Sequence, residues 1–128
     1  MPSVPDSRER VLIAEDDAAQ RLGLQQLLKS WGYAVDAAAD GREALEKIAA
    51  NRPAIVLTDM IMPNLGGMDL LRALKQNDDT DITVVLLTAQ GSVETAVQAI
   101  KQGAYDYLTK PVDPQRLRIV LEQVAARN

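Results

Sequence analysis

The fold is decided by the stretch Val11-Leu12-Ile13-Ala14-Glu15-Asp16-Asp17, in which four apolar residues run directly into three acidic ones. A short apolar run without interruption suits a strand that is buried on both faces of a parallel sheet. Ala54-Ile55-Val56-Leu57 and residues 82–87 have the same character, and residues 33–37 and 105–108 indicate weaker strands near the sheet edges. The sequence therefore predicts five strands, three of them fully buried.

Helical patterns lie between these runs. Apolar side chains recur at positions i, i+3, i+4 and i+7, the spacing of one helix face. The pattern occurs in Leu24, Leu27, Leu28 and Trp31, in Val93, Ala96, Val97 and Ile100, and in Leu117, Val120, Leu121 and Val124, with a shorter version in Leu70, Leu71 and Leu74. Asp40 followed by Glu43 resembles a capping box, which predicts a further helix start. Other helix boundaries are indicated at Ser92, Gly103 and Asp113-Pro114.

Five strands that alternate with five helices predict an α/β fold. Because crossovers between parallel strands are right-handed, helices cover both faces, and the result is a three-layer, doubly wound, five-stranded parallel sheet. The 128 residues suffice for one domain. Residues 1–9 are expected to form a flexible N-terminal tail and residues 10–128 the domain.

The composition excludes several kinds of site. The chain has no cysteine and no histidine, so any metal must be held by oxygen ligands, which favours Mg²⁺ or Ca²⁺. A net charge of −4 argues against a nucleic-acid-binding surface. The apolar runs are too short to span a membrane, and no signal peptide is evident. The chain is therefore expected to be cytoplasmic.

Chemically active side chains follow four of the predicted strands. They are Glu15-Asp16-Asp17, Thr58-Asp59, Thr88-Ala89 and Thr109-Lys110-Pro111. The carboxyl ends of parallel strands share one edge of the sheet, where ligands of such folds bind. Clustered carboxylates repel one another unless a cation such as Mg²⁺ lies among them. Lys110 and Thr88 would contact a phosphate, and Asp59 would be the nucleophile, so the set predicts phosphoryl transfer.

The same motifs carry a family resemblance. Residues 11–17, Thr58-Asp59-Met60-Ile61-Met62-Pro63, Gly67, Leu87-Thr88-Ala89 and Leu108-Thr109-Lys110-Pro111 resemble the receiver domains of bacterial two-component response regulators. The resemblance extends from about Arg10 to the last helix. It implies the flavodoxin-like receiver fold with strand order 2-1-3-4-5.

The resemblance also implies a role for each residue. Asp59 would accept a phosphoryl group from the phosphohistidine of a sensor histidine kinase. Asp16, Asp17, Asp59 and the backbone carbonyl of Ile61 would bind Mg²⁺. In addition, Lys110 would contact the phosphoryl group and precede a cis proline, and Thr88 and Tyr107 would form the switch pair.

Residues 91–96 and 103–108 are similar to the receivers that precede the ATPase of sigma-54-dependent transcriptional activators. In a receiver, phosphorylation of Asp59 would switch the surface of the fourth helix, fifth strand and fifth helix, which would control an attached or partner output domain and offer a surface for homodimerisation, with transcription as the expected output. Receivers of this kind usually lead longer chains. The domain itself would bind neither nucleic acid nor membrane and would catalyse only its own phosphorylation and dephosphorylation.

Some departures and alternatives remain. Glu15, Gly66 and Val112 stand where the family frequently has aspartate, aspartate and phenylalanine. A phosphatase with an aspartyl-phosphate intermediate commonly has a second aspartate two residues after the nucleophile, and Ile61 occupies that position. A nucleotide or flavin carrier would have a glycine-rich loop after the first strand, where this chain is acidic. A degenerate receiver that only binds proteins is the remaining alternative.

Overall fold

The computed structural model describes residues 10–77, 81–89 and 93–127, in which five strands alternate with five helices. In chain order the elements are β1 (Arg10–Ala14), α1 (Ala18–Ser30), β2 (Ala34–Ala38), α2 (Gly41–Ala50), β3 (Ile55–Asp59), α3 (Gly67–Gln76), β4 (Thr83–Thr88), α4 (Val93–Lys101), β5 (Asp106–Thr109) and α5 (Pro114–Arg127). The predicted tail, residues 1–9, and the predicted helix cap Ser92 lie outside the described residues.

The strands form one parallel sheet in the order β2-β1-β3-β4-β5, which confirms the predicted topology. Ala14 at the end of β1 pairs with Thr58 in β3. Thr88 at the end of β4 pairs with Thr109 in β5. The polar residues that follow these strands are therefore brought to one edge, and the strand order reverses beside β1.

Alternation along the buried strands divides the core into two layers. Leu12 and Ala14 lie in a cluster with buried residues of α2, α3 and α4. Val11 and Ile13 lie in a second cluster with buried residues of α1 and α5. Each central strand thus packs helices on both faces, which explains why its sequence is apolar without interruption.

The predicted boundaries hold to within one or two residues. In the capping box of α2, Asp40 accepts from the Glu43 backbone N–H at 2.8 Å, whereas Glu43 accepts from the N–H of Ala39 at 2.6 Å instead of that of Asp40. Gly103, just after α4, has the predicted left-handed conformation with φ 110°. Asp113 accepts from the N–H of Gln115 at 3.0 Å and so caps α5, whose first residue is proline.

The packing of α4 differs from the helical pattern in the sequence. Among the side chains of α4 that the structure describes, Ala96 and Ala99 are buried, whereas Val97 and Ile100 remain 47% and 41% exposed. The two alanines thus face the interior, and these two larger side chains are left at the surface of the domain. Among the described residues, no helix is long and apolar enough to cross a membrane.

Candidate functional site

Three carboxylates meet beyond the carboxyl ends of β1 and β3. One oxygen each of Glu15, Asp16 and Asp59 can be chosen so that all three lie within 4.8 Å of one another. Glu15 and Asp59 are only 1% and 9% exposed, whereas Asp16 faces solvent. Carboxylate oxygens at this spacing suit a hard divalent cation such as Mg²⁺. Softer metals prefer sulfur or nitrogen ligands, which this cluster of carboxylates does not offer.

Lys110 connects two of these carboxylates from the end of β5. Its ammonium donates to Glu15 Oε1 at 2.6 Å and to Asp59 Oδ2 at 2.9 Å. Burial alone would lower the pKa of Lys110, but the hydrogen bonds and charges of Glu15 and Asp59 outweigh it and raise the pKa above its usual value of 10.5. The lysine is therefore a stable positive charge beside Asp59. The Lys110–Pro111 peptide bond is cis, as predicted.

Asp17 departs from its expected place among the metal ligands. Its Oδ1 accepts from the backbone N–H of Gln20 at 2.9 Å and caps α1, while its own N–H donates to Glu15 Oε2 at 3.1 Å. The helix start needs an acceptor at this position, and the Asp17 side chain supplies it. Glu15 takes the place in the cluster that was assigned to Asp17, because its longer side chain reaches from β1 to Lys110.

The two predicted switch residues, Thr88 and Tyr107, lie in different environments. Thr88 is buried, and its hydroxyl donates to the carbonyl of Ala89 at 3.3 Å. It lines a cavity of about 400 Å³ together with Asp59 and Lys110. Tyr107 is half-buried, pairs with Leu86 in the sheet and packs against the core cluster of α2, α3 and α4. The tyrosine is not among the residues that line the cavity.

Ile61 lies at the mouth of the same cavity, two residues after Asp59. Its side chain is 81% exposed, which is unusual for an isoleucine. No side chain with a transferable proton therefore stands at the position where a phosphatase of the alternative class would have its general acid.

Sequence reasoning placed Glu15 in the acidic run after β1 but left it out of the predicted Mg²⁺ ligands, where the resemblance implied Asp16 and Asp17. One signal that identifies it is position, since Glu15 is the first residue after the buried run of β1 and pairs through its N–H with Ala38 of β2 at 3.0 Å. A side chain so close to the strand end is held at the sheet edge, whereas Asp17, two residues further along, caps the helix.

Comparisons with known proteins agree with this geometry. The family model of the response regulator receiver domain matches residues 11–122. Response regulator MprA of Mycolicibacterium vanbaalenii is 42% identical over 118 residues, which cover 92% of this chain and 48% of MprA. Transcriptional regulatory protein ZraR of Escherichia coli is 41% identical over 116 residues, or 91% of this chain and 26% of ZraR. The chain thus spans about half the length of MprA and about a quarter of the length of ZraR.

Solved structures show the same architecture. The receiver domain of the Francisella response regulator 1452 superimposes with a TM-score of 0.88 at 32% identity, over 94% of this chain and 98% of that domain. NtrX from Brucella abortus gives a TM-score of 0.86 at 30% identity, over 94% of this chain and 27% of NtrX.

Proposed function

The chain belongs to the family of response regulator receiver domains of two-component systems, and from this premise we propose that Asp59 is its phosphoacceptor. The observation that carries the proposal is the contact between Asp59 and Lys110, at 2.9 Å, inside a group of three carboxylates. A buried carboxylate at a strand end, beside a fixed ammonium, is suited to accept a phosphoryl group.

In the proposed reaction a carboxylate oxygen of Asp59 attacks the phosphorus of a phosphohistidine on a sensor histidine kinase. The new P–O bond forms as the P–N bond breaks, and the bonding electron pair leaves with the imidazole. Lys110 donates to the phosphoryl oxygens, and the Thr88 hydroxyl turns from the Ala89 carbonyl toward the same oxygens. Water attack on the acyl phosphate later returns the free carboxylate and inorganic phosphate.

A bound Mg²⁺ would neutralise charge on the carboxylates and the phosphoryl oxygens. Glu15, Asp16 and Asp59 are the side chains that we propose to hold it, together with the backbone carbonyl of Ile61. Asp17, which was first expected in this set, instead keeps the start of α1 in place.

The proposed consequence is a shift between two conformations of the domain. The phosphoryl group adds negative charge and acceptor oxygens, which draw Thr88 inward and leave room for the ring of Tyr107 to follow. The surface of α4, β5 and α5 would then present a different face to an output domain or to a second receiver. Val97, Ile100 and Ile119 are exposed on these helices and would give a partner apolar side chains to pack against.

Transcription is the proposed output, in a cytoplasmic protein that does not bind nucleic acid through this domain. ZraR is named a transcriptional regulatory protein. The sigma-54 subgroup is the preferred assignment because of residues 91–96 and 103–108, although MprA and ZraR match at nearly equal identity, 42% and 41%.

Intact mass after incubation with acetyl phosphate tests the proposal. We expect a single phosphoryl adduct that requires Mg²⁺ and is absent from an Asp59→Asn variant. No adduct under any condition favours a degenerate receiver, and steady turnover of a small phosphate ester favours a phosphatase.

A further inference from the structure

The loop between β3 and α3, residues 60–66, follows Asp59 directly and carries Ile61. At its base the N–H of Gly67 donates to the carbonyl of Met60 at 2.9 Å. A Cβ atom on Gly67 would lie 2.5 Å from the carbonyl oxygen of Asp59, so the returning chain is pressed against the backbone of the proposed phosphoacceptor. Any change in the path of this loop therefore moves atoms at the site.

The far end of the loop is held by a different part of the chain, the start of α2. Asn64 Nδ2 donates to Asp40 Oδ2 at 2.7 Å, across 24 positions in the sequence. Beside this contact, the N–H of Gly41 donates to the carbonyl of Leu65 at 3.1 Å. A Cβ on residue 41 would collide with that carbonyl, so the close approach requires glycine.

Both side chains suit this contact. Asn64 has φ 69°, a left-handed conformation that asparagine tolerates better than most residues. Asp40 uses one oxygen to cap α2 through the N–H of Glu43 and the other to accept from Asn64. The hydrogen bond from Glu43, followed by that from Asn64, lowers the pKa of Asp40 below its usual value, so the carboxylate is ionised at neutral pH.

We propose that the Asp40–Asn64 contact is a positioning clasp, which holds the β3–α3 loop in the path that binding of a divalent cation requires. The inference rests on the proposed function, in which the carbonyl of Ile61 in this loop is a ligand of the cation. Neither clasp residue touches the cation in this account. They act by keeping the loop ordered before binding, so that the cost of ordering is not subtracted from the binding energy.

Two substitutions at one position separate the clasp from the helix cap. Asp40→Ser keeps a good cap, because serine accepts from the Glu43 N–H, but its side chain is too short to hold Asn64. Asp40→Asn also keeps the cap and removes the same charge. Its amide can still bond to Asn64 once the Asn64 amide flips, because each group both donates and accepts. The two variants therefore differ in the clasp and match in net charge.

Asn64→Gly removes the other partner and keeps the left-handed backbone accessible. Asp81→Asn is the control for loss of a surface contact elsewhere, since Asp81 pairs with Arg52 at the opposite edge of the sheet. Mg²⁺ affinity is measured on the full chain by calorimetric titration, without a phosphoryl donor. The rate of adduct formation from acetyl phosphate is then measured as a function of Mg²⁺ concentration.

We expect Asp40→Ser and Asn64→Gly each to weaken Mg²⁺ binding about 2- to 10-fold, the range that one net hydrogen bond supports. Asp40→Asn and Asp81→Asn should stay within about 2-fold of the wild type, and the Asp40→Ser/Asn64→Gly double variant should lose no more than either single variant. The adduct rate should approach that of the wild type at saturating Mg²⁺, because the phosphoryl contacts themselves are intact.

Equal affinity in Asp40→Ser and Asp40→Asn overturns the clasp, and so do losses that multiply in the double variant. A reduced rate at saturating Mg²⁺ with unchanged affinity also overturns it. If the wild type binds no Mg²⁺, the proposed cation site fails together with the clasp. Wild-type binding with no difference between the paired variants refutes the clasp alone.

Discussion

Neutralising Asp16 should stabilise the protein when no divalent cation is present. Asp16, Glu15 and Asp59 offer oxygens within 4.8 Å of one another. Two unit charges at 4.8 Å repel by about 1 kcal/mol in water and by about 3 kcal/mol at an effective dielectric constant of about 20. Lys110 forms salt bridges with Glu15 and Asp59. The Asp16 carboxylate therefore adds a negative charge to a cluster whose ammonium already pairs with the other two carboxylates.

Because Asp16 is exposed, its repulsion is closer to the lower of these values. We therefore expect Asp16→Asn to raise the free energy of unfolding by about 1 kcal/mol without Mg²⁺. Added Mg²⁺ should reduce this difference. A wild type with an intact site gains about 1.4 kcal/mol at a Mg²⁺ concentration about ten times its dissociation constant, whereas the variant gains less.

Urea unfolding provides the assay, followed through the fluorescence of Trp31. This residue is the single tryptophan of the chain, and Arg118 lies 5.3 Å from the centre of its ring, so unfolding changes its surroundings. Asp69→Asn is the matched control. Asp69 is also exposed, on α3, but its carboxylate forms a salt bridge with Arg72 and does not belong to the acidic cluster. If Asp16→Asn unfolds at the same urea concentration as the wild type without Mg²⁺, or at a lower one, the inference that repulsion by Asp16 destabilises the fold is wrong.

Three further predictions follow from single contacts. Lys110→Met leaves Glu15 and Asp59 without their ammonium and should lower the free energy of unfolding by about 1–3 kcal/mol, less than for a dry ion pair because the lysine side chain is 23% exposed. Because the pKa of Lys110 is raised, its contribution to stability is complete below the usual pKa of 10.5 and is lost as the pH rises through the higher folded value. The variant should therefore lack this part of the destabilisation at alkaline pH. Gly23→Ala should raise the free energy of unfolding by about 0.5–1 kcal/mol, since the position is inside α1 and an added Cβ meets nothing within 4 Å; an unchanged or lower melting temperature contradicts this. Thr88→Ala should still form the adduct at Asp59 but should lose the adduct-dependent change in the amide resonances of α4; a change of wild-type size in the variant argues against the switch role of Thr88.

The sheet was predictable because burial on both faces leaves a direct mark on composition. β1, β3 and β4 lie in the middle of the sheet, and each contains an unbroken apolar run without alternation, Val11–Ala14, Ile55–Leu57 and Val84–Leu87. The strand order was implied by the family resemblance rather than by this pattern. β2, β4 and β5 were each displaced by one residue from the predicted segments, because the apolar pattern marks a strand better than it marks the residues at which pairing begins and ends.

The site was predictable only in part. Residues at the end of a strand or directly after it, such as Asp59 and Lys110, were brought together as expected. In the run of acids after β1, however, residue type does not indicate which side chain turns inward, and only the position of Glu15 directly after the strand favours it. The start of α1 needs a cap, and Asp17 meets that need, so the inward place belongs to Glu15.

Two other features depend on contacts that periodicity does not encode. The pattern of α4 indicates an apolar face but not which of its members will be covered, and the structure buries Ala96 and Ala99 while Val97 and Ile100 stay exposed. The Asp40–Asn64 contact joins a helix cap to a loop 24 positions away. Each residue alone is typical of a local role, and only the fold shows that they meet.

The most direct test of the central claim is to locate the phosphoryl group within the chain. After reaction with acetyl phosphate and Mg²⁺, borohydride reduces an aspartyl phosphate to homoserine, and peptide mass spectrometry then identifies the altered position. We predict homoserine at position 59 and nowhere else. Homoserine at position 16 or 17, or a borohydride-resistant phosphoester on Thr88, would contradict the assignment of Asp59 as the phosphoacceptor.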